Sequence, residues 1–199
     1  MQTGRQGHQE HTASYYAATR NDHRQWPELS GELDADVCVI GGGFTGLNTA
    51  INLADAGYKV VLLEANRIGW GASGRNGGCL LTWSAKYMTL KRLFGEQQAA
   101  WLVQRSEQAV HEIARFCAAH NIEAELRVEG TCYTATSEAQ RGLMDPVLQE
   151  LERADLNQWQ AIEEGELASQ SGSHVHLEGL YSPHAGSVQP ALLVRGLLR

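Results

Sequence analysis

The chain has 199 residues, 43% of them apolar, and a formal charge of −7, which suits one soluble globular domain or slightly more, with room for a sizeable core. The acidic balance disfavours nonspecific binding to nucleic acid, and no run of lysine or arginine interrupts it. No stretch is long and apolar enough to span a bilayer, and nothing before Ser30 has the apolar region of a signal peptide. Cys38, Cys79, Cys117 and Cys132 show no C-x-x-C spacing; Cys38 on an apolar strand and Cys117 on an apolar helix face predict buried thiols in a reducing, cytoplasmic compartment.

Residues 1–33 are polar and aromatic without a period and read as an N-terminal arm. A short apolar strand follows at about Asp36 to Ile40, running into Gly41-Gly42-Gly43-Phe44-Thr45-Gly46, a G-x-G-x-x-G turn. Leu47, Ala50, Ile51, Leu53 and Ala54 recur at helical spacing and predict a helix that packs on a sheet, with Gly57 placed to end it. A second apolar strand, Val60 to Leu63, delivers the acid Glu64.

This layout suits a dinucleotide. Gly41 permits the tight turn, Gly43 lets the backbone approach a pyrophosphate, and Gly46 lets the helix meet the strand. The helix N-terminus favours the phosphates through unpaired N–H groups and the positive end of its dipole. Glu64 is placed to accept from ribose hydroxyls, and its charge disfavours the 2′-phosphate of NADP. NAD and FAD both remain open at this point.

A second glycine-rich loop, residues 68–78, comes next. Ala85 to His120 predicts a helix broken near Gly95, with Leu102, Val103, Ser106, Val110, Ile113 and Cys117 as a buried stripe and Gln104, Arg105, Glu107 and Glu112 facing water. Arg127 to Thr136 alternates as a strand. Ser137 with Gln140 resembles a capping box for a helix through Leu143, Val147, Leu148 and Leu151 to Arg153, and a short helix is expected over Ile162 to Ala168. Glu178 to Ser182 reads as a strand, and Pro190 as the first residue of a helix carrying Leu192, Leu193, Val194, Leu197 and Leu198. That helix has no C-cap signal, its apolar face is expected to lack a cover, and the two opening strands are too few for a doubly wound sheet. The chain therefore reads as the N-terminal part of a longer protein or a truncated product of one.

The second loop favours FAD over NAD, because an NAD-binding half continues from its second strand through a crossover helix to a third. Here small residues allow close backbone approach along a long cofactor. Ser73 is a candidate for a phosphate oxygen, and Arg75 with Asn76 for the ribityl chain or flavin ring. A turn hydroxyl and a solvated loop charge are the plainer readings of Ser73 and Arg75.

With Ser14-Tyr15-Tyr16-Ala17-Ala18, Asp36 through Leu47, Leu63-Glu64-Ala65, Arg67-Ile68-Gly69 and above all Gly71-Ala72-Ser73-Gly74-Arg75-Asn76-Gly77-Gly78, the sequence resembles the flavoprotein oxidases of the D-amino-acid oxidase superfamily. Weaker matches continue through Gly130, Gly179 and Gly186-Ser187-Val188-Gln189-Pro190. The resemblance implies an α/β fold: a Rossmann-type FAD-binding βαβ unit with helical and β additions, incomplete relative to a two-domain flavoprotein oxidase. It divides the chain into an arm (1–33), the βαβ unit with its flavin loop (34–84) and a helical segment opening the substrate domain (85–199).

The same resemblance implies a noncovalent FAD held by Gly41, Gly43, Phe44, Thr45, Gly46, Glu64, Ala65, Arg67, Gly71, Ala72, Ser73, Arg75, Asn76, Gly77 and Gly78. Family members often carry a glutamine after Asn-Gly-Gly where this chain has Cys79, which removes a side-chain amide from the substrate side; Cys79 itself reads as a small packing residue rather than a thioether link.

The implied activity is oxidation of the C–N bond of an amine or amino acid by hydride transfer to flavin N5, followed by imine hydrolysis and reoxidation by oxygen. A gamma-glutamylated diamine is the implied substrate, with a secondary or D-amino acid as the alternative, and a truncated FAD-binding module without activity as the alternative outside enzymes. The partners are thus a small-molecule amine and oxygen. No residue is singled out as catalytic. His174-x-His176 lacks the companions of a metal site, His111 and His120 fit a helix surface, and Trp83, Trp101 and Trp159 read as packing.

Overall fold

The computed structural model describes residues 13–19, 24 and 26–198. In chain order its elements are α1 (Tyr15–Ala18), β1 (Val37–Ile40), α2 (Phe44–Asp55), β2 (Val60–Leu63), β3 (Cys79–Leu80), α3 (Tyr87–Phe94), α4 (Glu96–Ala119), β4 (Thr131–Ala135), α5 (Asp145–Arg153), β5 (Gln160–Ile162), α6 (Glu164–Ser171), β6 (Glu178–Ser182), β7 (Gly186–Ser187) and α7 (Pro190–Gly196). They group into two compact units, one from the described residues of Met1–Gly78, His120–Glu125 and Val188–Arg199, the other from Cys79–Ala119 and Leu126–Ser187. Packing thus divides the chain differently from a cut at residue 84, because the last segment returns to the first unit.

In the first unit β1 and β2 pair in parallel, Val37 opposite Val60 through Ile40 opposite Leu63, and α2 is the crossover between them. Gly57, at φ +89°, ends the helix as expected. Leu47 is buried on the face of α2, whereas Ala54 is exposed despite its place in the apolar pattern. Alternate residues of β1, Cys38 and Ile40, are exposed, so Cys38 is not the buried thiol its strand suggested; a pair of strands covers less apolar surface than a wide sheet. Within the arm, Ser14 caps α1 by accepting from the Ala17 N–H at 3.2 Å.

The final helix corrects a second expectation. Pro190 through Val194 and Gly196 are all buried. The unit itself supplies the cover: a Cβ on Gly196 would lie 2.2 Å from Ile122, and one on Gly69 2.3 Å from Val194. Gln189 caps the helix, accepting from the Leu192 N–H at 2.8 Å, while its own amide donates to Thr19 at 3.1 Å.

In the second unit α3 and α4 meet at Gly95, φ +81°, where the sequence predicted the break. Tyr87, Leu90, Ala99, Val103, Leu151 and Leu156 form a buried cluster, and α4 buries Val103, Val110 and Cys117 from the predicted stripe. A three-stranded antiparallel sheet, ordered β4-β6-β5, and the short ladder β3-β7 complete the unit.

Three boundaries differ from the sequence reading, the first being β4, which starts at Thr131 with Arg127 only in an isolated bridge to Ser187. Ser137 makes no side-chain cap; Gln140 instead accepts from the Thr136 N–H at 2.8 Å and closes a single 3-10 turn that begins at Glu138, and α5 starts only at Asp145, with Pro146 in its first turn. Ile162 belongs to β5, and α6 begins two residues later. Of the four cysteines only Cys117 is buried, and burial pushes its thiol up. Cys79 is exposed on β3 rather than packed.

Candidate dinucleotide site

The site grows out of the turn that joins β1 to α2. The Gly41 N–H donates to the Leu63 carbonyl at 2.7 Å, tying the turn to β2, and its φ of +105° is a conformation that side chains with a Cβ rarely adopt. Gly46 is demanded by contact rather than by torsion. A Cβ there would lie 1.9 Å from the Gly41 carbonyl oxygen and 3.4 Å from Val39, so the helix sits on its strand only with hydrogen at this position.

The N-terminus of α2 has no capping side chain of its own, since its N-cap is Gly43. A hydroxyl from the second loop does that work: Ser73 Oγ accepts from the Phe44 N–H at 3.0 Å. A Cβ on Gly43 would come within 2.9 Å of the same oxygen. The Leu47 N–H is the first to bond back into the helix, to the Gly43 carbonyl, which leaves the Thr45 and Gly46 N–H groups outside the helix ladder.

Glu64 is fixed from two directions. Its Oε2 accepts from the Gly42 N–H at 2.8 Å and its Oε1 from the Asn66 N–H at 2.9 Å. Each oxygen keeps a further acceptor direction, so the carboxylate is oriented and still able to take hydroxyl donors. Gly42, to which the sequence pattern gave no role, is buried, and a Cβ on it would lie 2.3 Å from Ile68.

The second loop is held by its own polar groups. Ala72–Gly74 form a 3-10 turn, and a Cβ on Gly74 would lie 2.2 Å from the Gly69 carbonyl. The Asn76 amide donates to the Ala72 and Ser73 carbonyls, both at 3.2 Å, while its oxygen accepts from the Gly78 N–H at 2.9 Å. Asn76 therefore shapes the loop. Arg75 is exposed with its guanidinium stacked over Trp70 at 4.2 Å, a partner that the sequence did not reveal. Gly71 and Gly77 border open space and are exposed, as are Thr45 and Ala65, with Arg67 half-buried beside them. At the loop's end Gly78, φ +73°, lies so close to Val188 that a Cβ would fall 1.9 Å from its carbonyl oxygen.

All fifteen predicted site residues thus fall in one unit, on the βαβ turn, the end of β2 and the loop that follows. The residues fit an anionic dinucleotide: helix N–H groups for phosphates, an oriented carboxylate for ribose, and glycine backbone without side chains in the way.

Residues 36–199 match the model of the DAO family, described as FAD dependent oxidoreductase. The chain belongs to this family. FAD is the family's cofactor, and its members are oxidoreductases. The chain is 32% identical over 188 residues to gamma-glutamylputrescine oxidoreductase of Escherichia coli (strain K12), covering 94% of this chain and 44% of that protein. It therefore spans less than half the length of that relative. Among solved structures, the L-amino acid deaminase of Proteus myxofaciens in complex with anthranilate matches with a TM-score of 0.65 at 21% identity, over 85% of this chain and 37% of that one. The FAD-bound L-alpha-glycerophosphate oxidase of Mycoplasma pneumoniae matches with a TM-score of 0.59 at 18% identity, over 82% and 39%. These likenesses bear out the α/β flavoprotein oxidase fold.

Proposed function

We propose that this chain carries the FAD-binding part of an oxidoreductase that oxidises the C–N bond of an amine, with a gamma-glutamylated diamine as its substrate class and oxygen as electron acceptor. The family supports the cofactor. The named relative supports the substrate, and one observation ties the reading to these residues: Glu64 and Ser73 reach the turn from two different segments and hold Gly42 and Phe44 in a formed cradle.

In this reading Gly41 and Gly43 admit the pyrophosphate, Thr45 and Gly46 present backbone donors to it, and Phe44 anchors Ser73, whose hydroxyl accepts the Phe44 N–H and keeps its own hydrogen for a phosphate oxygen. Glu64 takes the ribose hydroxyls, its charge turning away a 2′-phosphate, with Ala65 and Arg67 beside the adenosine. Gly71, Ala72, Arg75, Asn76, Gly77 and Gly78 run along the flavin half, Asn76 by holding the loop's shape. When bound, FAD supplies the hydride acceptor for the carbon bearing the neutral amine, the imine hydrolyses to an aldehyde, and oxygen takes up the electrons. The second unit, Cys79–Ala119 and Leu126–Ser187, opens the part that meets the substrate, while the last segment of the expected 85–199 stretch packs with the cradle. We place the protein in the cytoplasm on its four free cysteines. Among the described residues no helix is long and apolar enough to cross a membrane.

FAD titrated into the purified chain, followed by quenching of flavin fluorescence, tests the cofactor part. Saturable binding that Gly43→Val abolishes, with the melting curve showing the variant folded, is the expected result; equal retention in a folded Gly43→Val refutes the placement. Oxygen uptake with gamma-glutamylputrescine tests the substrate part. Uptake only with a secondary or D-amino acid moves the substrate elsewhere in the family, and bound flavin without uptake on any of these makes the chain a binding module.

A further inference from the structure

The second unit brings together titratable side chains that the cofactor site does not use. His111 on α4 and His184 in the turn between β6 and β7 meet at 2.9 Å, Nε2 to Nδ1, with ring planes at 88°. One helical turn before His111 stands Glu107, which the sequence placed on the wet face. It is half-buried, and its Oε1 is buried without a hydrogen-bond partner among the described residues. Burial pushes its carboxyl up, against the opposing pull of His111. Ser182, two residues before His184, is buried with an unpartnered hydroxyl as well. Among the described residues no group of three or more ligating side chains is placed to hold a metal ion, so the two rings are left with each other.

We propose that His111 and His184 form a proton-controlled latch that fastens the β6–β7 turn to α4, closed while one ring keeps a lone pair and open when both are imidazolium. The bond needs one N–H and one bare nitrogen. Two cations in its place have no acceptor and repel across the same distance. What the latch holds is slight. β7 pairs with β3 over two residues, Cys79 with Ser187 and Leu80 with Gly186, and is flanked by the Val188 N–H on the Gly78 carbonyl at 2.8 Å, by the two backbone bonds of the Arg127–Ser187 bridge and by the Gly130 N–H on the Ala185 carbonyl at 2.9 Å. Cys79 directly follows the last glycine of the second loop, so the latch governs the ladder at that loop's exit.

Among the described residues, the charged and titratable groups of the elements around the pair are few. On α4, Glu107 is half-buried one turn before His111, and Arg115 one turn on is exposed; on the strands, Arg127 is exposed and the Tyr181 hydroxyl is engaged with the Glu129 carbonyl at 3.1 Å. Falling pH opens the latch, because two protonated rings leave the shared bond without an acceptor.

Hydrogen exchange at the amides of Leu80 and Gly186 in the β3–β7 ladder, and of Ser187, which donates to the Arg127 carbonyl at 2.8 Å, corrected for intrinsic rates, reads the latch. In the wild-type chain protection falls about tenfold between about pH 8 and about pH 5; His184→Gln flattens that dependence. Protection that is flat in the wild type, or that varies with pH just as much in a folded His184→Gln, overturns the latch. Where the histidine variant does not fold, nitrogen-15 titration of the wild-type rings decides: two coupled steps support the shared bond, and two independent ones overturn it.

Discussion

The cradle of residues 37–78 and the helical core of α3 to α5 solve opposite problems. In the core Tyr87, Leu90, Ala99, Val103, Leu151 and Leu156 are sealed from water, and volume decides what each position accepts. In the cradle Ile40 is 86% exposed and only Leu47 of α2 is buried, yet at Gly42, Gly43, Gly46, Gly69, Gly74 and Gly78 an added Cβ would fall within 3 Å of backbone or side-chain atoms. Apolar content tells little about such a region. Where backbones touch, and which polar atoms bridge the gaps, tells nearly everything.

The sharpest way to break this contrast is Gly46→Val. With a Cβ 1.9 Å from the Gly41 carbonyl, α2 must leave its strand, and we expect a loss of ~4 kcal/mol in stability of the βαβ unit, seen as lost amide protection over residues 37–47 together with lost FAD uptake. Unchanged protection there would show that the helix does not rest on its strand as closely as the structure places it.

The core answers next. Leu151→Ala removes a fully buried side chain and should cost about 3 kcal/mol in global stability by chemical denaturation. Tyr87→Phe sharpens the point, because the Tyr87 hydroxyl is buried with no partner among the described residues; its loss should be near neutral or stabilising. A cost as large as that of Leu151→Ala would mean that a bridging water satisfies the hydroxyl.

The same contrast explains what the sequence made legible. The strand, turn, helix, strand and acid of residues 37–64 are a local code, since glycine spacing and apolar runs report on neighbours in the chain, and the break at Gly95 is readable for the same reason. Partners far apart in sequence are not. Ser73 caps Phe44 across 29 residues and His184 meets His111 across 73, and nothing in the flanking residues announces either. Burial fails in the same way: the exposure of Cys38 and the cover over α7 both depend on which distant segment arrives, so an apolar strand looked buried and a well-covered helix looked bare. β5 escaped notice because three residues are too few to show a period.

The polar bridges of the cradle should yield smaller effects than its glycines. Glu64→Ala deprives the Gly42 and Asn66 N–H groups of their acceptor and is expected to weaken FAD binding by ~2 kcal/mol, measured by fluorescence titration. Ser73→Ala removes the cap of α2 and should lower the thermal stability of the cofactor-free chain by ~1 kcal/mol. If Glu64→Ala binds FAD as wild type does, the carboxylate serves the turn alone.

The smallest effect belongs to the surface of the helical core. Lys91 joins α3 to α5 through Glu150 at 2.9 Å and also meets Glu96 at 3.1 Å. The hydrogen bond from Lys91, and after it the one from Arg153, holds the Glu150 carboxyl below its usual range, while Glu150 and then Glu96 hold the Lys91 ammonium above its own. The lowered carboxyl contributes stability that is present above the carboxylate's unfolded value and lost as pH falls through its folded one. The raised ammonium contributes stability that is present below the unfolded lysine value and lost as pH rises through the folded one. Lys91→Met should therefore lower the plateau slightly, shrink the acid limb while Arg153 preserves part of it, and remove the alkaline limb. Because these side chains remain partly open to water, salt should screen most of the difference. Melting temperature against pH for both chains, at low and high salt, measures it; an acid limb identical in Lys91→Met would assign the lowered Glu150 to Arg153 alone.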